Sequence, residues 1–373
     1  MFGNNQTRWY KSFLNVVRRV KFRWGGGRIH VKFFNAQKST MKKQFDKSYE
    51  DIISLENLLA AWQEFVCGKR QKTDVQEFGV RLMDNLLELH TDLANHTYRH
   101  GEYQAFGICD PKPRQIHKAV VRDRVVHHAV YRQLYPSFDR LFIADSFSCR
   151  LGKGTHKARA RFASYGRKVS KNNTRTAWVL KCDIRKFFAS INHAVLLDML
   201  AAHIPDLGIL LLLQEIIESF RVKSGVGLPL GNLTSQLFCN VYMNELDQFA
   251  KHKIKAEHYI RYADDFVFLS EDKDWLSRQL PVLSQFLQDH LRLSLHPDKV
   301  FIKTFASGVD FLGFVHFSKH QVLRTVTKRR MFRQLRTHPT NPTLQSYLGL
   351  LKHGDNFNLT QQVLNTYGLY TGK

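Results

Sequence analysis

The sequence has few cysteines, and none of them lies in a recognisable metal-binding or disulfide pattern. The five residues are far apart, their number is odd, and no C-x-x-C pair occurs: Cys67, Cys109, Cys149, Cys182 and Cys239. This spacing argues against both a zinc knuckle and a disulfide framework. A reducing compartment fits such a composition, and we expect a cytoplasmic location.

Long apolar runs are also missing. The stretch LGILLLLQEII at residues 207–217 is too short to cross a bilayer, and it contains Gln214 and Glu215. The first residues have neither the apolar core nor the small-residue cleavage site of a secretory signal. We therefore expect a soluble, intracellular protein with no membrane partner.

Acidic residues are scarce. The chain has 56 Lys and Arg against 32 Asp and Glu, a formal charge of +24, which is typical of proteins that bind a polyanion. Residues 1–45 contain no acid but eleven Lys or Arg, interleaved with Trp9, Tyr10, Phe13, Phe22, Trp24, Phe33 and Phe34. Such a basic-aromatic segment suits single-stranded nucleic acid, although a small basic subdomain with an aromatic core explains it equally well.

The remaining chain shows both helical and strand patterns. Apolar residues between Ser54 and Leu89 follow helical spacing, which predicts two helices joined by the basic turn GKRQKT, with Thr73 and Gln76 as a capping box at the second. Helical and strand patterns alternate over residues 99–317. After about residue 322 the chain is helical and basic, with Arg324, Lys328, Arg329, Arg330, Arg333 and Arg336. Both helices and strands are therefore expected.

Two acids stand side by side inside the apolar stretch HYIRYADDFVFLS, residues 258–270. The flanking aromatic and β-branched residues favour strands, so Asp264 and Asp265 are predicted to lie on a hairpin turn. Asp183 follows a second apolar run, in WVLKCDIRKFF. Carboxylates from two strand ends can hold a pair of Mg²⁺ ions, with Mn²⁺ as a substitute, and such a pair serves phosphoryl transfer.

These stretches belong to a series of motifs that resembles the reverse transcriptases. In order they are KPRQIHKAVVRDRVVHHAVY (112–131), DSFSCRLGKGTHKA (145–158), KCDIRKFF, GLPLGNLTSQLFCNVYMNELD (227–247), RYADD, LRLSLHPDK (291–299), VDFLGF (309–314) and SYLGLLKHGD (346–355). The motif GLPLGNLTSQ is most similar to the enzymes of diversity-generating retroelements and of defence-associated bacterial systems. The resemblance implies an α+β fold, that of a right-hand polymerase with fingers, palm, a short helical thumb and a basic amino-terminal extension.

The same resemblance predicts three parts of the chain. Residues 1–90 form a basic amino-terminal extension with a helical hairpin. Residues 91–320 form the fingers and palm, which make up the reverse transcriptase domain. Residues 321–373 form the short helical thumb.

Site residues follow from the motifs position by position. Asp183 and Asp264 are expected to bind both metals, with help from Asp265 and from the backbone carbonyl of Ile184, and Lys299 to donate a proton to pyrophosphate. Nucleotide-binding positions are Lys112, Arg114, the steric gate Phe188, Leu230 and Gly231. Leu230 stands where many relatives have a glutamine, which predicts altered nucleotide selection. Template and primer positions are Arg150, Lys153, Ser235, Gln236, Leu312 and Gly313.

The resemblance implies an RNA-directed DNA polymerase that copies a dedicated structured non-coding RNA into DNA from dNTPs, with a role in phage defence. A mutagenic enzyme of a diversity-generating retroelement is the alternative. An RNA-dependent RNA polymerase and a catalytically idle RNA-binding protein are further alternatives. The resemblance also implies an accessory protein or self-assembly, and no heptad run or large apolar stripe in the sequence specifies an interface.

Overall fold

The computed structural model describes residues 45–109 and 113–367. The predictions for the basic-aromatic segment and for Lys112 lie outside these residues. Among the described helices, none is long and apolar enough to cross a membrane.

The first described part is helical but differs from the prediction of two helices. Its helices are α1 (Tyr49–Ile53), α2 (Leu55–Phe65), α3 (Thr73–Val80) and α4 (Leu82–Ala94). The predicted capping box at Thr73 is wrong, because Lys72 occupies the N-cap position and makes no side-chain cap. The capping box is instead at α1, where the Ser48 hydroxyl accepts from the Asp51 backbone and the Asp51 carboxylate accepts from the Ser48 backbone.

The fingers are a hairpin followed by two helices. Their elements are β1 (Gln104–Ile108), β2 (Arg114–Lys118), α5 (Val121–Asp139) and α6 (Thr155–Val169). Helix α5 packs against α2, and the buried Asn57 side chain joins them by donating to the Ala129 carbonyl at 3.2 Å. The fingers and the amino-terminal helices therefore share one apolar core.

The palm is a four-stranded antiparallel sheet of order β4-β5-β3-β6. Its strands are β3 (Trp178–Asp183), β4 (Tyr259–Tyr262), β5 (Asp265–Ser270) and β6 (Phe301–Thr304). The helices of this region are α7 (Phe187–Ser190), α8 (His193–Ala201), α9 (Leu207–Glu218), α10 (Leu233–Gln248) and α11 (Lys273–Leu291). Both faces of β3 and β5 are covered, which explains why these strands read as nearly continuous apolar runs.

A second, three-stranded sheet connects the palm to the last helices. It contains β7 (Val309–Phe311), β8 (Phe314–His316) and β9 (Gln321–Leu323), followed by α12 (Thr325–Thr337), α13 (Asn341–Leu351) and α14 (Phe357–Tyr367). Phe314 and Leu323 from this sheet belong to the same apolar cluster as Met331, Leu335 and Leu344. The thumb helices thus share a core with the sheet that precedes them.

Candidate active site

The predicted hairpin is present, and it faces the predicted strand end. Strands β4 and β5 are joined by a two-residue turn, Ala263 and Asp264, and Asp265 is the first residue of β5. Strand β3 ends at Asp183, which is paired in register with Asp265. The Ile184 amide donates to the Asp264 carbonyl at 3.3 Å. The sheet therefore brings Asp183, Ile184, Asp264 and Asp265 together at one edge.

The carboxylates are buried and repel one another. Burial, followed by the charge of Asp183, raises the pKa of Asp264 above its ordinary value. Burial raises the pKa of Asp265 to about 6, although nearby Lys181 opposes the shift. Such crowding of acids is found where a protein will hold a cation.

Lysines partly neutralise this edge. The Lys299 ammonium lies 2.8 Å from Asp183 Oδ1, and the Lys181 ammonium lies 3.1 Å from Asp265 Oδ2. Lys181 also donates to the Asp310 carbonyl at 2.8 Å, which ties β7 to the carboxylates. The other oxygen of Asp265, Oδ1, is buried and has no hydrogen-bond partner.

The donor set fits a hard divalent cation. Among the described residues, no three His, Cys, Asp or Glu side chains are grouped closely enough to hold one metal ion. Mg²⁺ does not require such a group, because it commonly takes one or two protein carboxylates and completes its shell with substrate phosphates and water. The unpartnered oxygen of Asp265 and the mutual repulsion of the aspartates agree with a site of this kind.

An exposed arginine from the fingers acts on the same edge. Arg114 is the first residue of β2, and its charge lowers the pKa of Asp264 against the larger effect of burial. The guanidinium is exposed, so it is free to engage an anion that enters beside the carboxylates.

The loop before α10 lies against the fingers hairpin. The His117 amide of β2 donates to the Leu230 carbonyl at 3.0 Å. Gly231 has a φ of +109°, and a Cβ there would lie 2.9 Å from Ile116 Cγ2. A glycine is therefore required by both backbone conformation and close approach.

The predicted steric gate lies beside this loop. Phe188 is half-buried in α7, and its ring centroid is 5.6 Å from that of Phe187. Its carbonyl accepts from the Leu228 amide at 2.8 Å. Phe188 thus packs partly against the core while part of its surface stays exposed.

The four template and primer residues outside the fingers lie at element ends. Ser235 is buried and Gln236 half-buried in the first turns of α10. Leu312 and Gly313 form the two-residue turn between β7 and β8, with φ of 51° and 87°. Positive φ at both positions is the geometry of tight hairpins that match strand twist.

Arg150 has a structural environment that the prediction did not foresee. Its side chain is 6% exposed; the guanidinium donates to Asp139 Oδ1 at 2.6 Å and also to the carbonyls of Asp139, Ile143 and Ser146. These internal partners hold Arg150 within the fingers loop, and its contact with the template stays a prediction. Lys153 is half-buried, and its ammonium donates to the Ala144 carbonyl at 2.7 Å.

Sequence reasoning missed two residues of the site, Lys181 and Arg261. Lys181 lies two positions before Asp183 and therefore on the same face of β3, which period-two counting would have shown. Arg261 lies in β4 and donates to the carbonyl of Ala263 in the turn. No pattern in one sequence separates such a buried arginine from an exposed strand residue.

The four-stranded sheet with carboxylates at one edge is the palm of a nucleotidyl-transferring polymerase of right-hand architecture. The family described as "Reverse transcriptase (RNA-dependent DNA polymerase)" matches residues 110–316. The chain belongs to this family.

Known relatives include bacterial and intron-encoded proteins. The chain is 24% identical over 276 residues to protein YkfC of Escherichia coli, covering 62% of this chain and 68% of YkfC. It is 22% identical over 208 residues to the group II intron-encoded protein LtrA of Lactococcus lactis, covering 37% of this chain and 34% of LtrA. The chain thus spans about two thirds of YkfC and about a third of LtrA.

Among solved structures, a telomerase from Candida tropicalis in complex with a fragment of telomeric RNA is 12% identical, with a TM-score of 0.47. The match covers 74% of this chain and 56% of that one.

Proposed function

We propose that the protein is an RNA-directed DNA polymerase that copies a dedicated structured non-coding RNA into DNA from dNTPs, in the cytoplasm and in defence against phage. The proposal rests on one observation above all: Asp183, Asp264 and Asp265 converge at the edge of the palm sheet with raised pKa values at Asp264 and Asp265. Family membership supplies the reaction class.

The carboxylates would hold two Mg²⁺ ions, or Mn²⁺ in their place, through Asp183 and Asp264, with help from Asp265 and the Ile184 carbonyl. Ions bound there would make the primer hydroxyl more acidic and would neutralise the triphosphate. The protein contributes to catalysis by fixing the positions of the carboxylates, because strands β3 and β5 are paired up to Asp183 and Asp265.

Other side chains then act on the nucleotide. Exposed Arg114, together with Lys112, grips the triphosphate. Lys299, already beside Asp183, donates a proton to the leaving pyrophosphate. Phe188 lies against the sugar and excludes a 2′-hydroxyl, while Gly231 lets the backbone approach the base pair.

Contacts to the template and primer would come from three surfaces. Arg150 and Lys153 lie in the fingers loop, Ser235 and Gln236 at the start of α10, and Leu312 with Gly313 in the β7–β8 turn. The exposed basic side chains of α12 add phosphate contacts to the structured RNA.

We also propose that the chain divides at residues 90 and 320 into an amino-terminal extension, a reverse transcriptase domain and a thumb. An accessory protein or a second copy of the chain is proposed as a further partner.

Leu230 favours a second candidate function. An apolar side chain cannot replace the hydrogen bonds of an amide, so base selection would be relaxed at this position. Relaxed selection suits the mutagenic reverse transcriptase of a diversity-generating retroelement.

The decisive experiment is expression with the native genomic flanks, followed by separate sequencing of bound RNA and DNA. It compares the native chain with Asp264→Ala plus Asp265→Ala, and with Asp274→Ala, an exposed acid at the start of α11, as matched control. A discrete RNA in all three samples, with complementary DNA only in the native and control samples, supports the proposal.

Other outcomes point elsewhere. RNA without any DNA that depends on the two acids indicates an RNA-binding protein. Incorporation of rNTPs in preference to dNTPs indicates an RNA-dependent RNA polymerase. A mutated copy of a neighbouring repeat indicates a diversity-generating retroelement rather than defence.

A further inference from the structure

Arg261, three residues before Asp264, is buried completely. Its side chain and that of Asp247 on α10 are both 0% exposed, and they form a bidentate pair. Nε lies 2.8 Å from Asp247 Oδ1, and Nη2 lies 2.7 Å from Oδ2. The ion pair therefore links β4 to α10 beneath the hairpin.

The same guanidinium also holds the turn that carries Asp264. Nη1 donates to the Ala263 carbonyl at 3.1 Å. Ala263 has a φ of 56°, in the left-handed region that residues other than glycine seldom occupy. A strained backbone persists only where its surroundings fix it, and the Arg261 hydrogen bond is one such constraint.

The remaining donors of Arg261 reach the fingers loop and α10. Nη2 donates to Ser146 Oγ at 3.0 Å, and Nη1 donates to Asn240 Oδ1 at 3.3 Å. All five N–H groups of the guanidinium thus have an acceptor. The planar guanidinium therefore fixes the Ala263–Asp264 turn relative to both the fingers loop and α10.

The backbone of Arg261 strengthens this connection. Its amide donates to the Asp145 carbonyl, and its carbonyl accepts from the Phe147 amide, each at 3.0 Å. Asn240 in turn donates to the Ser148 carbonyl at 2.9 Å. The loop that precedes α6 and the turn that carries Asp264 are therefore held in one hydrogen-bonded network.

A gain in folding stability does not by itself explain the buried ion pair of Arg261 and Asp247. Removing two charges from water is costly, and well-packed apolar residues often replace a buried ion pair without loss of stability. A guanidinium that holds a strained turn beside a carboxylate has a different use, since small displacements of reacting groups lower rates strongly.

We propose that Arg261 and Asp247 are positioning residues, which fix the Ala263–Asp264 turn so that the Asp264 carboxylate faces Asp183. The inference rests on the proposed polymerase function. Neither residue touches substrate in this proposal; each acts through the turn.

The test is the double variant Arg261→Met plus Asp247→Leu, which leaves no unpaired buried charge. We expect it to fold, as judged by thermal melting, while kcat for single-nucleotide addition falls about 10- to 100-fold and KM for dNTP changes less than about 3-fold. Mn²⁺ affinity without nucleotide, measured by electron paramagnetic resonance, is expected to weaken as well. A folded double variant with native kcat and native Mn²⁺ affinity overturns the inference.

Additional variants keep the result decisive. If the double variant does not fold, Arg261→Lys replaces it, because an ammonium keeps the charge but cannot reach Asp247 and the Ala263 carbonyl together. Tyr259→Phe is the matched control: it removes a 2.8 Å hydrogen bond to Asp247 and leaves the turn untouched, so native rates are expected. If the native protein adds no nucleotide, the proposed function fails, and Mn²⁺ affinity alone decides whether the turn is positioned.

Discussion

At the scale of single residues, the site is a set of carboxylates whose charges are balanced by neighbours. Lys299 pairs with Oδ1 of Asp183 and Lys181 with Oδ2 of Asp265, while Asp264 in the turn has no lysine within salt-bridge distance among the described side chains. The charges of Lys299 and Arg114 nevertheless lower the pKa of Asp264 against the larger effect of burial.

Phe188 and Phe187 provide a residue-scale test of sugar selection. Phe188→Val should raise rNTP incorporation relative to dNTP about 10- to 100-fold, because a smaller side chain leaves room for a 2′-hydroxyl. Primer extension with each nucleotide type measures this ratio. Phe187→Leu, at a buried neighbouring position, should lower the melting temperature and leave the ratio unchanged. An unchanged ratio in Phe188→Val would assign Phe188 to the core instead.

Gly231 provides a second residue-scale test. Gly231→Ala should destabilise the protein by about 1–3 kcal/mol, since φ is +109° and the new Cβ would lie 2.9 Å from Ile116 Cγ2. Because the loop lies beside the expected nucleotide site, KM for dNTP should rise. Thermal melting and steady-state kinetics measure both effects. Gly107→Ala in β1 has open space around it and should change neither; equal behaviour of the two variants would refute the expectation.

At the scale of elements, one strand hairpin was predicted correctly and helix boundaries were predicted less well. The RYADD hairpin follows from strand-forming residues on both sides of two acids, and the structure confirms it. The helix predicted to run through residues 75–89 divides at Arg81, whose φ of −116° and ψ of 41° are not helical. Apolar spacing continues across that break, so periodicity alone could not reveal it.

The arginines of helix α12 are predicted to contribute to the salt dependence of RNA binding. Arg329, Arg333 and Arg336 are exposed, and their spacing places them on one face. Replacing all three by Gln should reduce the slope of log affinity against log salt by about two to three, because each phosphate contact contributes somewhat less than one. Filter binding of the co-purified RNA at several salt concentrations measures the slope.

The matched control removes the same charge elsewhere. Lys171, Arg175 and Arg278 are exposed, and each lies beside an acid, Glu271 or Asp272. Their triple replacement by Gln should leave the slope nearly native. A similar loss in both triple variants would mean that overall charge, and not α12, determines binding.

Strand β8 contains the buried His316, and its shifted pKa should make the folding stability depend on pH. Burial lowers the pKa of His316 to about 4, with Arg159 and Lys181 adding to the shift and Asp310 opposing it. In the unfolded chain the imidazole binds a proton near pH 6.5, whereas in the folded chain it does not until about pH 4. Stability should therefore be fully present above pH 6.5 and fall as the pH drops towards 4.

Thermal melting between pH 7 and pH 5 measures this dependence. His316→Phe keeps an aromatic ring beside Phe162 and Phe311 but cannot bind a proton, so its melting temperature should fall less over that interval. His338→Gln, at an exposed position, should behave as the native protein does. Parallel curves for the native and His316→Phe proteins would contradict the prediction.

At the scale of the whole molecule, the sequence supplied the family and the main carboxylates but not their surroundings. Asp183 is far in sequence from the adjacent pair Asp264 and Asp265, and strand context together with motif order indicated that the three meet. Contacts such as Arg150 with Asp139 or Arg261 with Asp247 depend on how helices and loops pack, which local patterns do not encode. Burial of those two arginines could not have been inferred from their charge.

The thumb helices and the β7–β9 sheet share one apolar core, which limits how they can move relative to each other. Asn356, after α13, accepts from the Leu323 amide at 3.2 Å and donates to the Leu351 carbonyl at 3.1 Å, so strand β9 and α13 are clamped by one amide. Because Phe314 lies in the same core, the turn at Leu312 and Gly313 cannot shift independently of the helices. We expect the thumb helices and the β7–β8 turn to move as one body, so that each one-nucleotide advance along a duplex would displace both together.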